Sequence, residues 1–242
     1  MTSNEEIRDN LIFVTVSDIG SNHRVLCIPN QDAVAYGVDN EDFMIAVSDG
    51  VGSCKKAERG SQYAVDVCRV VFENIKTCAL HFDDSKILEA IISGWRSAIR
   101  NENIDDFCAT LKVVFKIGNI MKLISLGDGI VAATSNGMSI IAPSVETAFT
   151  NETKCLCSIT SPEDFWIRDF SIDTYEPFTA FCCTDGVANG LVEGKELDLI
   201  KEIECSTSKH DLRRELEDLV KEIGEYSFDD KTIGVVKYER KN

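Results

Sequence analysis

A change in the spacing of apolar residues divides the sequence into strand-forming and helix-forming stretches. Between positions 110 and 117, apolar side chains recur at every second residue, which is the period of a β-strand. The apolar runs that follow are separated by Gly118-Asn119, Gly127-Asp128-Gly129 and Asn136-Gly137, and such residues favour the tight turns of β-hairpins. The middle of the chain is therefore predicted to form an antiparallel meander.

Helical spacing lies on both sides of this meander. Apolar residues recur every three or four positions over 64–75 and 87–99, and a third such pattern over 212–223 follows a capping residue, Ser208. Short apolar runs predict further strands at Leu11 to Val16, Ala33 to Gly37, Phe43 to Val47, Phe178 to Thr184 and Ile233 to Tyr238. This order of elements predicts an α+β fold in which helices cover antiparallel sheets. Residues 143–177 show no sustained period and are predicted to form a long, partly irregular surface segment.

Length and composition limit what this fold can do. The chain has 242 residues and is predicted to form a single domain over 1–242 that needs no disulfides. No apolar run approaches the roughly 18 residues of a membrane span, so we expect a cytoplasmic protein without a membrane partner. A net charge of −16 argues against a nucleic-acid partner, because phosphate backbones require Lys and Arg. The ten cysteines include no C-x-x-C pair, and we expect buried free thiols.

Four aspartates lie at the ends of predicted strands, although they are far apart in the sequence. Asp32 precedes a strand, Asp49 and Asp185 each close an apolar strand before a Gly, and Asp229 opens the last strand. Carboxylates at strand ends can converge on one site, and Mg²⁺ and Mn²⁺ prefer oxygen ligands. A single Asp-Gly pair is more often an ordinary turn. The repetition of Ser/Thr-Asp-Gly-Val around Asp49 and Asp185 favours a metal site.

Six short motifs occur in an order that is typical of one protein family. They are Asn30-Gln31-Asp32-Ala33, Val47-Ser48-Asp49-Gly50-Val51-Gly52-Ser53, Cys108-Ala109-Thr110, Leu126-Gly127-Asp128-Gly129, Cys183-Thr184-Asp185-Gly186-Val187 and Asp229-Asp230-Lys231-Thr232. The ordered set resembles the signature blocks of the metal-dependent protein serine/threonine phosphatases of type 2C, although no single block is specific. The resemblance extends from about Ile19 to Val236 and looks closest to the compact bacterial branch of that family.

The resemblance implies a fold, a cofactor and a set of ligands. The implied fold is a four-layer αββα sandwich, in which helices flank a central antiparallel β-sandwich. Two Mn²⁺ or Mg²⁺ ions are implied at one end of the sandwich, with a third, weaker site beside them. The implied ligands of the two ions are Asp32, Asp49, Gly50, Asp185 and Asp229, with Asp49 between both ions, and the implied ligand of the weaker site is Asp128.

Several positions depart from the family pattern. Gln31 stands where many relatives carry Glu, which removes a negative charge beside the second metal. Cys27 stands where the family usually places its phosphate-binding Arg; Arg24 could reach the same space or could be a solvated loop residue. Val51 stands where some eukaryotic relatives carry a His, so protonation of the leaving group would fall to water. Asn189 stands where relatives often carry Asp, which weakens the third site.

The function implied by the resemblance is hydrolysis of phosphoserine or phosphothreonine on a phosphorylated protein, by water that two cations activate. Asp49, Asp32 and Arg24 are the implied catalytic residues, and Arg24 is also the implied substrate-binding residue. Two alternatives stay open: a catalytically weak module that binds phosphoproteins or regulatory partners, and a hydrolase of small phosphoesters. A monomer is favoured, and His23 and His210 are interpreted as structural or solvated.

Overall fold

The computed structural model describes seven stretches of the chain, namely residues 1–8, 10–142, 154–159, 161–173, 176–191, 196–206 and 208–239. Of the segment that the sequence predicts to be partly irregular, residues 143–153, 160 and 174–175 lie outside these described residues. The described part includes a regular strand at Trp166–Ser171, which lies at the edge of its sheet and buries only Phe170, so that it shows no apolar period. Within the described ranges the chain forms eleven strands and six α-helices.

The strands and helices alternate in blocks along the chain. The strands are β1 (Thr2–Arg8), β2 (Leu11–Asp18), β3 (Asp32–Asp39), β4 (Asp42–Asp49), β5 (Leu111–Ile117), β6 (Ile120–Leu126), β7 (Ile130–Ser135), β8 (Met138–Ile141), β9 (Trp166–Ser171), β10 (Phe178–Cys183) and β11 (Lys231–Tyr238). The α-helices are α1 (Ser21–Leu26), α2 (Ala57–Lys76), α3 (Asp84–Ile99), α4 (Asp185–Ala188), α5 (Glu196–Cys205) and α6 (Lys209–Ile223). Two short 3-10 helices lie at Ile104–Phe107 and Pro162–Asp164.

The strands form two sheets in which every pairing is antiparallel. One sheet has the order β1-β2-β11-β10-β7-β8, and the other has the order β3-β4-β5-β6-β9. Hairpins join β5 to β6 and β7 to β8, as the turns at Gly118-Asn119 and Asn136-Gly137 predict. The expectation of a hairpin at Gly127-Asp128-Gly129 is wrong, because this turn passes from one sheet to the other. The meander is therefore split between the two sheets.

Three apolar layers hold four structural layers together. The first layer packs α2 and α3 on the five-stranded sheet, and Trp95 lies fully buried within it. The second fills the space between the sheets, and the third packs α5 and α6 on the six-stranded sheet. This arrangement confirms the expected αββα sandwich, because a helix layer covers the outer face of each sheet of the central pair.

Several elements lie where the sequence predicts them, and others have no clear pattern. The helix over 212–223 begins as predicted, with the Ser208 hydroxyl accepting a hydrogen bond from the Asp211 N–H at 3.2 Å. The strand β1 and the helices α1 and α5 carry no period that we could interpret. The strand β1 is polar and pairs only with β2 at the edge of its sheet, which explains why it lacks an apolar run.

The cysteines differ in part from expectation. Cys108 and Cys157 form a disulfide although 49 residues separate them, and no spacing rule predicts this pair. Cys155 is buried, and its sulfur lies 3.3 Å from that of Cys157. Other free thiols, including those of Cys27 and Cys205, are exposed rather than buried.

None of the helices in the described ranges is both long enough and apolar enough to span a membrane.

Candidate metal centre

The sandwich brings the four strand-end aspartates to one end of the molecule. Asp32 opens β3 and Asp49 closes β4, and the two residues face each other in the register of these paired strands. Asp185 lies two residues after the end of β10 and Asp229 lies two residues before β11, and these strands are neighbours in the other sheet. The sheets are joined at this end because the Thr184 hydroxyl donates to Asp32 Oδ2 at 2.8 Å.

Thr110 fixes the end of the strand that carries Asp49. The Thr110 N–H donates to the Asp49 carbonyl at 2.8 Å, and the Asp49 N–H donates to Thr110 Oγ1 at 3.0 Å. Ser48 Oγ donates to the Thr110 carbonyl at 2.6 Å. Gly50 continues the pairing through a bridge to Ala109. The Cys108-Ala109-Thr110 motif therefore supports Asp49 through the backbone, which is a role that spacing alone could not reveal.

Gly50 follows Asp49 at a place where no side chain fits. A Cβ atom built there would overlap the carbonyl group of Ala57, the first residue of α2. The Gly50 N–H donates to the Gln31 carbonyl at 3.1 Å, so the loop after β4 lies against the loop before β3. Glycine is required at position 50 because the backbone there lies too close to the start of α2 for any side chain to fit.

Asp230, beside the candidate ligand Asp229, joins three segments of the chain. It is only 3% exposed. Its carboxylate accepts hydrogen bonds from the Gly20 N–H and the Gln31 N–H, each at 2.6 Å. His23 Nδ1 lies 2.9 Å from Asp230 Oδ2, and α1 is thereby held against the start of β11. No local pattern predicts this network, because its members are far apart in the chain.

The carboxylates are crowded enough to disfavour their charged forms. Burial raises the pKa of Asp49 to about 10, and the neighbouring Asp32, Asp185 and Asp229 act in the same direction. Burial is also the main reason that the pKa of Asp32 is raised to about 8. The pKa of Asp185 is raised to about 6 by burial, and then by Asp229 and Asp128. A cluster of this kind is stable in its ionised form only with cations among the oxygens.

The donor set fits hard divalent cations. Asp32 Oδ1 is buried and makes no hydrogen bond, so one carboxylate oxygen at the centre is available to a ligand. Cys108, Cys155 and Cys157 are the one group of possible metal ligands in the described ranges whose atoms all lie within 4.8 Å of one another. No three of the described aspartates bring carboxylate oxygens that close together, so the metal-free carboxylate cluster is more open than this group of cysteines. Cys108 and Cys157 of this cysteine group are bonded to each other in the disulfide, so only Cys155 has a free thiol.

Asp128 lies in the turn that passes between the sheets, beside a buried cation. Lys112 is only 1% exposed, and its ammonium group donates to the carbonyls of Leu126 at 3.0 Å and Gly127 at 2.7 Å. Burial lowers the pKa of Lys112 to about 8, although the carboxylates of Asp128 and Asp185 oppose this shift. Lys112 therefore fixes the turn that carries the candidate ligand of the third site.

The side chain of Arg24, in α1, contacts residues that lie just before this helix in the chain. Its Nη2 donates to Asp18 Oδ1 at 2.5 Å and its Nε donates to the Ile19 carbonyl at 3.0 Å, and the side chain is 50% exposed. Cys27 ends α1 in the left-handed backbone region and is exposed. The role of Arg24 in binding substrate stays a prediction, and the structure pairs it with Asp18 rather than with the aspartate cluster.

An open cavity of about 330 Å³ lies against Asp229. Its walls are formed by α1, the loop after α4 and the turn before β11. The lining residues are Asn22, His23, Gly186, Asn189, Ser227, Phe228 and Asp229. His23, which we interpret from sequence as structural or solvated, thus combines a bond to Asp230 with a position in the cavity wall. An imidazole there can donate a hydrogen bond to an anionic ligand.

Comparisons with known proteins agree with this geometry. A sequence profile described as protein phosphatase 2C matches residues 19–221. The chain therefore belongs to the protein phosphatase 2C family. No curated protein matches the chain in a search by sequence.

Solved structures of other proteins share the fold. RsbX in complex with magnesium has 16% sequence identity and a TM-score of 0.68, over 98% of this chain and 100% of that chain. The catalytic domain of the serine/threonine phosphatase PstP, in complex with two manganese ions, has 16% identity and a TM-score of 0.65, over 95% of this chain and 99% of that chain. The phosphatase domain of SpoIIE from Bacillus subtilis, solved with a fragment of its regulatory domain, has 12% identity and a TM-score of 0.63, over 100% of this chain and 66% of that chain.

Proposed function

We propose that this protein hydrolyses phosphoserine and phosphothreonine on proteins, with two Mn²⁺ or Mg²⁺ ions as cofactors. The observation that carries the proposal is the convergence of Asp32, Asp49, Asp185 and Asp229 at one end of the sandwich. Membership of the protein phosphatase 2C family supports the reaction class, and the metals named in the structures of RsbX and PstP support the cofactor.

Each carboxylate has a distinct task in this proposal. Asp49, on which the carboxylates of Asp32, Asp185 and Asp229 all act, would contribute to both ions. Asp32 and the carbonyl of Gly50 would help to hold one ion, and Asp185 and Asp229 would help to hold the other. When bound, a pair of divalent cations lowers the pKa of water and neutralises charge on the phosphoryl oxygens. The chain's own contribution is to hold these ligands on rigid strand ends, which avoids reorganisation during the reaction.

Charge explains why the carboxylates alone could not serve this substrate. A phosphomonoester is a dianion, and the bare cluster would repel it. Burial is the main reason that the pKa values of Asp32 and Asp49 are raised, and neighbouring carboxylates add to it. Two divalent cations would cancel the charge of four carboxylates, so that one arrangement of residues explains both the metal requirement and the binding of phosphate.

Hydrolysis measured with Mn²⁺ tests the proposal directly. Release of phosphate from a phosphoserine peptide and from p-nitrophenyl phosphate should require Mn²⁺ or Mg²⁺, should stop with EDTA and should return when metal is added back. Asp49→Ala should reduce the rate by at least about a thousandfold, because a ligand of both ions is lost. Asp218→Ala is the matched control, since Asp218 is 65% exposed on α6. Activity no higher than that of Asp49→Ala, across several metals, would exclude the enzymatic proposal.

A second candidate function is a phosphatase-like module that binds phosphoproteins without efficient catalysis. Arg24 is paired with Asp18, and none of the seven residues that line the cavity beside Asp229 is Arg or Lys. Gln31 in place of Glu also removes one negative charge near the second ion. Calorimetric titration with Mn²⁺ separates the candidates, because the enzyme should bind two ions and a binding module need not do so.

Three further properties belong to the same proposal. We propose that residues 1–242 form one domain, that the protein acts in the cytoplasm and that it acts as a monomer. Asp128 is the proposed ligand of a third, weaker ion, for which Asn189 provides an amide rather than a carboxylate. Light scattering tests the oligomeric state, and Asp128→Ala should leave the binding of the first two ions unchanged.

A further inference from the structure

Two neighbouring segments beside the metal centre hold large apolar side chains in solvent. Val25 and Leu26, at the end of α1, are 82% and 66% exposed, and Tyr226 and Phe228, in the turn before β11, are 58% and 61% exposed. These are four of the ten large hydrophobic residues that are exposed in the described part of the chain. Single exposed apolar residues are ordinary, whereas a concentration of them beside a cavity indicates a binding surface. We call these four residues the apolar rim.

The apolar rim is continuous with the wall of the cavity at Asp229. The Asn22 N–H donates to the Phe228 carbonyl at 3.4 Å, which joins α1 to the turn before β11. Asn22, Phe228 and Asp229 line the same cavity. Leu26 lies four residues after Asn22 on α1, so the two side chains share one face of the helix. Tyr226 is held by a hydrogen bond from its hydroxyl to the Gly190 carbonyl at 3.4 Å.

The fold does not require these apolar side chains. Helix α1 contributes no buried residue to the core, and its position is set by Gly20 and His23 through Asp230. Serine in place of Val25 or Leu26 could adopt the same backbone conformation. Apolar side chains at such positions gain free energy only when a ligand covers them.

We propose that the apolar rim binds the residues next to the phosphorylated Ser or Thr of a polypeptide substrate. The inference rests on the proposed function, because a phosphoryl group seated at Asp229 would bring its flanking residues over Val25, Leu26 and Phe228. A small phosphoester would reach the same ions without touching Val25 or Leu26. The preferred substrate is therefore an unfolded or exposed segment of a phosphoprotein with a large apolar residue beside the phosphorylated one.

The charges near the apolar rim indicate which charged residues the substrate should carry beside its phosphorylated residue. Glu222 and Glu225 are exposed at the end of α6 and in the turn that follows it, close in sequence to Tyr226 and Phe228. The whole chain has a net charge of −16. Lys or Arg in the flanking residues of the substrate is consequently favoured over Asp or Glu.

A pair of phosphopeptides of equal charge tests the proposal. Both contain phosphoserine and two Arg residues; one has Leu and Phe beside the phosphoserine, and the other has Ser in both places. Wild type with Mn²⁺ should show a kcat/KM about tenfold higher for the apolar peptide, since partial burial of one or two large side chains has an effect of this order. The double variant Val25→Ser/Leu26→Ser should lose this preference. Val70→Ser is the matched control, because Val70 is 53% exposed on α2 and should keep it.

Hydrolysis of p-nitrophenyl phosphate distinguishes the rim from the catalytic centre. All three proteins should hydrolyse this small ester at equal rates. No preference in wild type, or a preference that survives in Val25→Ser/Leu26→Ser, would overturn the proposal while leaving the proposed function intact. An equal loss on all substrates would also overturn it, because the residues would then support the fold or the centre rather than the flanking sequence.

Binding and size measurements cover the remaining outcomes. If wild type hydrolyses no substrate with any metal, the proposed function fails; the same peptides carrying fluorescein then report binding by anisotropy. A difference in Kd of about tenfold that the double variant removes would support the rim as a peptide-binding surface, and equal Kd values would overturn it. A dimer of wild type that the double variant dissociates would assign the rim to a second copy of this chain and would also overturn the proposal.

Discussion

Removal of the Asp49 carboxylate should change how the stability of the metal-free protein depends on pH. In the folded, metal-free chain the pKa of Asp49 is raised to about 10, so the group keeps its proton at neutral pH. In the unfolded chain it is ionised above about pH 4. Folding therefore takes up a proton, and the free energy of unfolding falls as pH rises between these two pKa values.

The size of the effect follows from proton linkage. One proton taken up on folding changes the free energy of unfolding by about 1.4 kcal/mol per pH unit. Between about pH 5.5 and about pH 7.5, wild type should therefore lose about 3 kcal/mol more stability than Asp49→Asn, which has no proton to take up at this position. Other titrating groups occur in both proteins, so the difference between the two slopes reports Asp49 together with the carboxylates that act on it, Asp32 foremost.

Urea unfolding in the presence of EDTA, at several pH values, measures both slopes. Asp218→Asn serves as the control and should keep the slope of wild type, because its side chain is 65% exposed on α6. Saturating Mn²⁺ should flatten the wild-type slope, because cations then replace protons among the carboxylates. Equal slopes for wild type and Asp49→Asn without metal would refute the reasoning.

Three further substitutions test the packing around the centre. Gly186→Ala should destabilise the protein by about 3 kcal/mol and weaken Mn²⁺ binding, because its Cβ would overlap the Asp230 carbonyl oxygen. Gly52→Ala is the control and should change the thermal midpoint very little, because its Cβ would lie 3.5 Å from the nearest atom, Gln31 Oε1. Lys112→Met should cost about 3 kcal/mol in urea unfolding, because two buried carbonyl groups lose their donor; an unchanged midpoint would contradict this. Asp230→Ala should also cost about 3 kcal/mol, and Asp230→Asn less, because the amide still offers one acceptor to the backbone; equal losses would count against the network.

The fold could be predicted where the period of apolar residues was unambiguous. The helices α2, α3 and α6 and the strands β4, β5, β10 and β11 have continuous apolar faces or runs, and they lie where those patterns predict. The four strand-end aspartates could be identified for the same reason, because each adjoins one of the predicted strands. Pairing of β3 with β4, and of β10 with β11, then brings the aspartates to one end.

Other features have no counterpart in a local pattern. Lys112 and Lys116 occupy alternate positions on β5, as exposed lysines would, yet both are buried with their ammonium groups on backbone carbonyls. The turn at Gly127-Asp128-Gly129 has hairpin residues but connects two sheets, because turn chemistry does not specify which strand pairs next. The disulfide between Cys108 and Cys157 depends on a contact across 49 residues.

The position of α1 shows the same limit at the candidate site. Its six residues are too few to show a helical period. Its contact with the turn before β11 is made through Asp230 and the hydrogen bond from Asn22 to Phe228, rather than through apolar packing. Neither His23 in the cavity wall nor the apolar rim could therefore be inferred before the chain was folded. Arg24, one residue further along, was the more obvious candidate in sequence and pairs with Asp18 instead.

Anomalous diffraction from a crystal grown with Mn²⁺ tests the central claim most directly, because it locates the ions without depending on activity. Two strong anomalous peaks are expected at the end of the sandwich, with Asp49 between them, Asp32 on one side, and Asp185 and Asp229 on the other. A single peak, or none among these four side chains in a crystal saturated with Mn²⁺, would contradict the assignment of a two-metal centre to this protein.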